Sequence, residues 1–162
     1  MPDIPFVFAG NGTQKAKTEH IDNAYLIPFQ QAEALKAVIQ HAEFTLHPAI
    51  WYENCPFAVM ESQLYGTPVI ASRIGGLKEL VEEGITGDLF EAGNSAEFKD
   101  GIRALWNDTD RLATYRNNCT KRASDNFPDL QRYCEDLLTL ISECSVSQKI
   151  LQIRSPQPLP ER

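Results

Sequence analysis

"HPAIWYENCPFAVMESQLYGTPVIASRIGGLKELVEEGITGDLF", residues 47–90, decides the fold. It reads as loop, helix, strand, tight turn, short helix and strand. Pro56 suits the first position of a helix over 56–65, where its missing N–H costs nothing. Asn54 or Cys55 would then sit at the cap, asparagine being the stronger capping type. Gly66 suits the residue just past the helix, where the chain often turns left-handed. "TPVIAS" resumes as a strand, with Pro68 tolerated near its start. "RIGG" is a strand-to-helix turn, "LKELVEEG" a short helix ended by Gly84, and "TGDLF" a further strand.

The same alternation runs upstream. "IPFVFAG" is a short apolar run of the kind found in buried parallel strands. The polar "NGTQKAKTEHIDN" separates it from a second strand, "AYLIPF", bent or ended near Pro28. "QQAEALKAVIQHA" is a helix with Leu35, Val38 and Ile39 on one face. "EFTLHP" is a strand stopped at Pro48. Strand and helix thus alternate from residue 4 to residue 90, which predicts an α/β fold: a mostly parallel sheet with helices on both faces. Ligands of such sheets bind outside the carboxyl ends of the strands.

From residue 95 the pattern is helical: "SAEFKDGIRALWN", "DTDRLATYRNNCTKRASDN" and "PDLQRYCEDLLTLISE". Trp106, Phe127 and Tyr133 are assigned to core packing. "SPQPLPER" is too proline-rich for regular structure. The expected division is one domain over 1–144 and a C-terminal tail over 145–162.

Fifteen Lys and Arg against 22 Asp and Glu give a net charge of -7. With no basic stripe, nucleic acid is not expected as a partner. The four cysteines, Cys55, Cys119, Cys134 and Cys144, form no C-x-x-C pair and no cluster with His20, His41 or His47. They read as free thiols of a reducing compartment, with no metal site. A cytoplasmic location is expected. No apolar run is long enough to span a membrane, although a peripheral membrane association through a larger parent protein is compatible with this composition.

Chemistry concentrates around Glu53 and Glu61. Eight residues rotate an ideal helix by about 80° beyond whole turns, so the two carboxylates do not align on one helix. Glu53 belongs to the loop before the helix and Glu61 to its second turn. Fixed carboxylates accept hydrogen bonds from polyhydroxylated ligands. The helix N-terminus beside Glu53 offers unpaired N–H groups and a positive dipole end. Gly75 and Gly76 precede another helix that could face an anion. Together these features point to a phosphate-bearing ligand with hydroxyls; the competing reading is two turns that serve only tight packing.

At this point residues 47–90 resemble the donor-binding, C-terminal domain of the retaining glycosyltransferases of family 4. The family pattern places two glutamates with seven residues between them, then Gly-x-Pro-Val-Ile-Ala, Gly-Gly, Glu and Thr-Gly before a hydrophobic pair. Here these are Glu53, Glu61, Gly66 to Ala71, Gly75-Gly76, Glu79 and Thr86-Gly87. "FAGNG" is similar to the family's Gly-x-Gly turn, with Gly10 and Gly12 in the glycine places. The resemblance implies a Rossmann-like domain, one half of a GT-B architecture. It implies a nucleotide-sugar or nucleoside diphosphate as ligand, a donor substrate of unspecified base, with no cofactor and no metal.

Residue by residue, it implies that Glu61 accepts from the donor ribose hydroxyls and Glu53 faces the transferred sugar as the catalytic-site carboxylate. The backbone of Cys55, Pro56, Phe57 and Ala58 would run along the sugar and phosphate. His47, Arg73 and Lys78, with Gly75 and Gly76, are further pocket or phosphate candidates. The family's N-terminal acceptor domain has no counterpart here. Neither does the first basic strand-loop-helix of its donor domain, and Ala49 stands where serine is usual. The chain is therefore expected to be N-terminally incomplete and inactive in transfer by itself. A sugar-nucleotide epimerase fragment and a non-catalytic nucleotide-binding or protein-interaction fragment are the alternatives.

Overall fold

The computed structural model describes the backbone of residues 1–126 and 130–153, and side-chain surroundings for 1–122 and 131–144. Two compact units result, Met1–Asp125 and Asn126–Arg162. The first begins with β1 (Phe6–Ala9), a one-turn 3-10 helix (Lys15–Lys17), β2 (Ala24–Ile27), α1 (Ala32–His41) and β3 (Thr45–His47). It continues with α2 (Phe57–Leu64), β4 (Val69–Ser72), α3 (Leu77–Leu80) and β5 (Gly87–Phe90). The helices α4 (Ser95–Asn107) and α5 (Thr109–Asn126) follow.

Every strand pair is parallel, as the alternation predicts. The expected single sheet is instead two: β1 pairs with β2, and β3, β4 and β5 pair in that order. No strand among the described residues bridges β1 and β3, so the ladder is interrupted there.

Side-chain alternation along the three-stranded sheet builds two cores. Ile70 and Phe90 face one side with Ile102, Leu105, Leu112 and Tyr115, joined by the partly buried Trp106. Val69, Ala71 and Leu89 face the other with Ala49, Val59, Leu77 and Val81. Helices therefore cover both faces, α4 and α5 on one and α2 and α3 on the other. Each fully buried aliphatic side chain contributes about 1.5–3 kcal/mol.

Local expectations need two adjustments. The α2 helix starts at Phe57, and Pro56 itself is the cap, with its carbonyl accepting from Val59 and Met60 at 3.0 and 3.4 Å. Its extended conformation, ψ 110°, keeps Pro56 outside the helix. The α3 helix stops at Leu80, well before Gly84, because Val81 turns extended and Glu83 bridges to Gly87. Gly66 behaves as read: at φ +77° it ends α2, its N–H bonded to Gln63 at 2.9 Å.

In the second unit, α6 (Leu130–Ile153) runs past the expected boundary at residue 144. Tyr133 is 55% exposed rather than in a core. A single helix has nothing of its own against which to bury an apolar stripe. Phe127 and "SPQPLPER" lie outside the described residues. No described helix is long and apolar enough to cross a membrane.

Candidate functional site

Parallel pairing sets His47 beside Ala71, so the loops leaving β3 and β4 emerge at the same end of the sheet. The β3 loop carries Trp51 and Glu53; the β4 loop carries Arg73 to Gly76. They are joined by the Gly76 N–H, which donates to the Glu53 carbonyl at 2.8 Å. The double glycine explains this contact. A Cβ on Gly76 would lie 1.8 Å from the Asn54 carbonyl oxygen, and one on Gly75 would lie 2.6 Å from that of Glu53. Gly75 also has φ +53°, a conformation that disfavours side chains. Gly75-Gly76 is thus a seat for the backbone of Glu53 and Asn54. The Gly76 amide is committed there and is not free for an anion.

The Glu53 side chain is held as well. Trp51 donates its indole N–H to Oε1 at 3.0 Å, and His47 Nε2 approaches the same oxygen at 3.4 Å. That approach is not aligned as a hydrogen bond, since His47 Nε2 is buried without a hydrogen-bond partner among the described residues. Ser72 Oγ, at the carboxyl end of the adjacent strand, is likewise buried and unpartnered. Orphaned buried polar atoms are uncommon in folded proteins and call for an explanation.

The α2 N-terminus adjoins this loop. The first two amides of the helix, from Phe57 and Ala58, have no backbone partner among the described residues, as the geometry of a helix start requires. Phe57, Ala58 and Cys55 are exposed, and Pro56 is buried. Glu61 follows Phe57 by four residues and so shares its face of the helix. Its partly buried carboxylate has no hydrogen-bond or ion-pair partner among the described residues.

Other candidates are placed elsewhere. Arg73 is spent on Glu83, with bonds of 2.8 and 2.5 Å, and on the Leu89 carbonyl at 3.1 Å. Glu83's hydrogen bond raises the guanidinium pKa, and Arg73's lowers that of the carboxylate. Arg73 therefore serves the β4–β5 connection rather than standing ready for phosphate. The neighbouring Glu82 pairs with Arg122. Lys78 is exposed on α3. Gly10, at φ +147°, ends β1 and bonds to Ile27 at 3.1 Å. Gly12 is exposed beyond it. Both follow β1, outside its strand, and no hydrogen bond among the described residues ties them to the Glu53 loop. No group of three or more His, Cys, Asp or Glu among the described residues is arranged to hold a metal.

Sequence reasoning missed the bond of Trp51 to Glu53, and it missed Ser72 altogether. The indole two residues before a loop glutamate was the available signal for the first. For the second there was none, because serine at a strand end is unremarkable until its burial is seen.

The profile of the glycosyl transferases group 1 family matches residues 1–125. The chain belongs to that family. A D-inositol 3-phosphate glycosyltransferase of Nocardia farcinica is 36% identical over 86 residues, 53% of this chain and 19% of that protein. One from Mycobacterium leprae is 33% identical over 79 residues, 49% of this chain and 18% of that protein. The matched region thus spans about a fifth of the length of these relatives. Among solved structures, Anabaena HepE in complex with UDP-glucose superposes with a TM-score of 0.76 at 24% identity, covering 88% of this chain and 42% of HepE. Sucrose-phosphate synthase from Thermosynechococcus elongatus gives 0.75 at 18% identity, covering 91% and 47%. At these identities the likeness establishes the fold: this group 1 chain has the α/β architecture of GT-B glycosyltransferases.

Proposed function

We propose that this chain is the donor-binding part of a retaining, family 4 glycosyltransferase that moves a sugar from a nucleotide-sugar to an acceptor hydroxyl. One observation carries the reading. The unpaired Glu61 carboxylate lies on the same helix face as the free amide of Phe57, one loop away from a Glu53 fixed by Trp51 and the Gly75-Gly76 seat. Glu61 accepts from the ribose hydroxyls, and Glu53 faces the transferred sugar. The amides of Phe57 and Ala58, at the positive end of α2, receive the phosphate side of the donor. Such a site stabilises charge building on the departing diphosphate, where preorganised N–H donors act most strongly.

Two features support inactivity of the chain by itself. Arg73, one of the two cations that flank the glycine turn in sequence, is neutralised by Glu83. The chain also corresponds to less than half of the solved HepE chain, and the acceptor contacts are assigned to the part of the family architecture that it does not match.

Titration calorimetry of the chain with UDP, GDP, ADP and their sugar conjugates tests the reading, with Glu61→Ala alongside. Selective binding of one nucleoside diphosphate is expected. Losing a charged acceptor costs about 1.5–3 kcal/mol, so Glu61→Ala should bind roughly 10- to 100-fold more weakly. A folded wild type that binds none of them, or a variant with unchanged affinity, would refute it.

A further inference from the structure

Glu53 is fixed at its backbone and at one side-chain oxygen only. Its carbonyl accepts from Gly76 at 2.8 Å, and the indole of Trp51 donates to Oε1 at 3.0 Å. His47 Nε2 stands 3.4 Å from that same oxygen. Two rings therefore flank Oε1. The other oxygen, Oε2, has no hydrogen-bond or ion-pair partner among the described residues, and it is not one of their buried, unpartnered atoms. The side chain is 22% exposed, and Oε2 is the end of it that is left for a ligand.

Burial does not explain why residue 51 is a tryptophan. The side chain belongs to neither hydrophobic core, and the residue is 61% exposed. Its single polar atom is spent on Glu53. An exposed hydrogen bond adds little to folding, because water competes for both partners. What the bond does achieve is orientation. A carboxylate free to turn presents two equivalent oxygens in many directions; one gripped at Oε1 presents a single acceptor in one direction.

We propose that Trp51 sets sugar discrimination at this site: its grip on Oε1 leaves Glu53 with Oε2 as one fixed acceptor for a sugar hydroxyl, so that the chain separates a nucleotide-sugar from the bare nucleoside diphosphate. The inference rests on the donor-binding role proposed for this chain and adds a positioning residue to it. Trp51 acts through Glu53 and is not itself catalytic. A carboxylate oxygen accepts and does not donate, so its partner is a hydroxyl rather than a phosphate. An acceptor that is already ordered loses no rotamer freedom when the ligand arrives. A site built to hydrogen-bond a hydroxyl also rejects a ligand that lacks it.

Titration calorimetry with UDP-glucose, GDP-mannose and ADP-glucose, each against its bare diphosphate, measures that discrimination. The wild type should bind one conjugate more tightly than its diphosphate. Trp51→Phe keeps an aromatic ring and loses the N–H. It should shrink the preference by roughly 3- to 10-fold while the affinity for the bare diphosphate holds. In a Glu53→Ala background the same substitution should change nothing further, because residues that act as a unit are not additive.

A second readout needs no nucleotide. The chain has two tryptophans, and backbone assignment tells the indole N–H resonance of Trp51 from that of Trp106. Glu53→Ala should move the Trp51 resonance and leave the other in place. Should Trp51→Phe fail to fold, this resonance still decides whether the grip exists.

Three binding results would overturn the inference while leaving nucleotide binding intact: a wild type without preference for any conjugate, a Trp51→Phe chain that keeps the wild-type preference, or equal losses with and without Glu53. A Trp51 resonance indifferent to Glu53→Ala would overturn it independently. Absence of binding by all six ligands would overturn the donor-binding reading along with it.

Discussion

Replacing Gly76 by alanine isolates the contact that ties the two halves of the candidate site together. Gly76 has φ -69° and ψ -11°, values any residue adopts, so no backbone strain enters. Alanine at a compatible glycine position normally adds about 0.4–1 kcal/mol. Here the new Cβ would lie 1.8 Å from the Asn54 carbonyl oxygen and 2.8 Å from its carbon. An ordinary C···O contact is roughly 3.4 Å, so the 53–54 backbone must retreat by roughly 1.6 Å. Both crowded atoms are main chain, which leaves no flexible side chain to absorb the shift. Overpacking of this kind costs about 1–3 kcal/mol, and the Gly76–Glu53 hydrogen bond, worth about 1 kcal/mol, goes with it. The expected net loss is about 2–3 kcal/mol in urea unfolding. Gly101→Ala is the control: its Cβ meets nothing within 4 Å in α4, and it should add about 0.5–1 kcal/mol. A Gly76→Ala chain as stable as wild type would refute the reasoning that the double glycine seats the Glu53 loop.

Two other expectations follow from burial and charge. Arg73 holds the Glu83 carboxyl below the usual carboxylate range, so its stabilisation is present above that range and lost as pH falls through the lowered value. Both side chains are more than a third exposed, which limits the effect to under about 1 kcal/mol. Glu83→Gln should therefore flatten the acid limb of a stability-against-pH curve by that much, and an unchanged acid limb would remove the ion pair from the account. Cys119 is buried and its thiol is pushed up to about 12, chiefly by desolvation, whereas Cys55, Cys134 and Cys144 are exposed. A thiol reagent near pH 8 should label those three promptly in the native protein and Cys119 only after unfolding; rapid labelling at Cys119 would contradict its packing.

Much of the fold was legible because periodicity and punctuation are local. The strand at "VIAS", the stop at Gly66 and the parallel α/β order follow from short-range patterns that tertiary context here leaves in place. The ends of elements were less legible. Whether Pro56 is the cap or the first helical residue turns on one ψ angle, and α3 ends early because β5 draws Glu83 into a bridge with Gly87. The ordered glutamate and glycine series pointed to a glycosyltransferase domain, and the match over residues 1–125 establishes the glycosyl transferases group 1 family.

What a linear reading left undecided was how those residues are used. Arg73 and Gly75-Gly76 have the right chemistry for phosphate, yet one is paired to Glu83 and the others press on the Glu53 backbone. Trp51, two residues from Glu53, becomes its hydrogen-bond donor only through the shape of the loop. The place of the split, between β1 and β3, shows only in the strand pairing. By itself, then, the sequence determined which elements form, their parallel order and the family, since these rest on local propensity and ordered motifs. Only the tertiary structure decided which polar groups are already paired and which edges remain open, because pairing depends on partners distant along the chain.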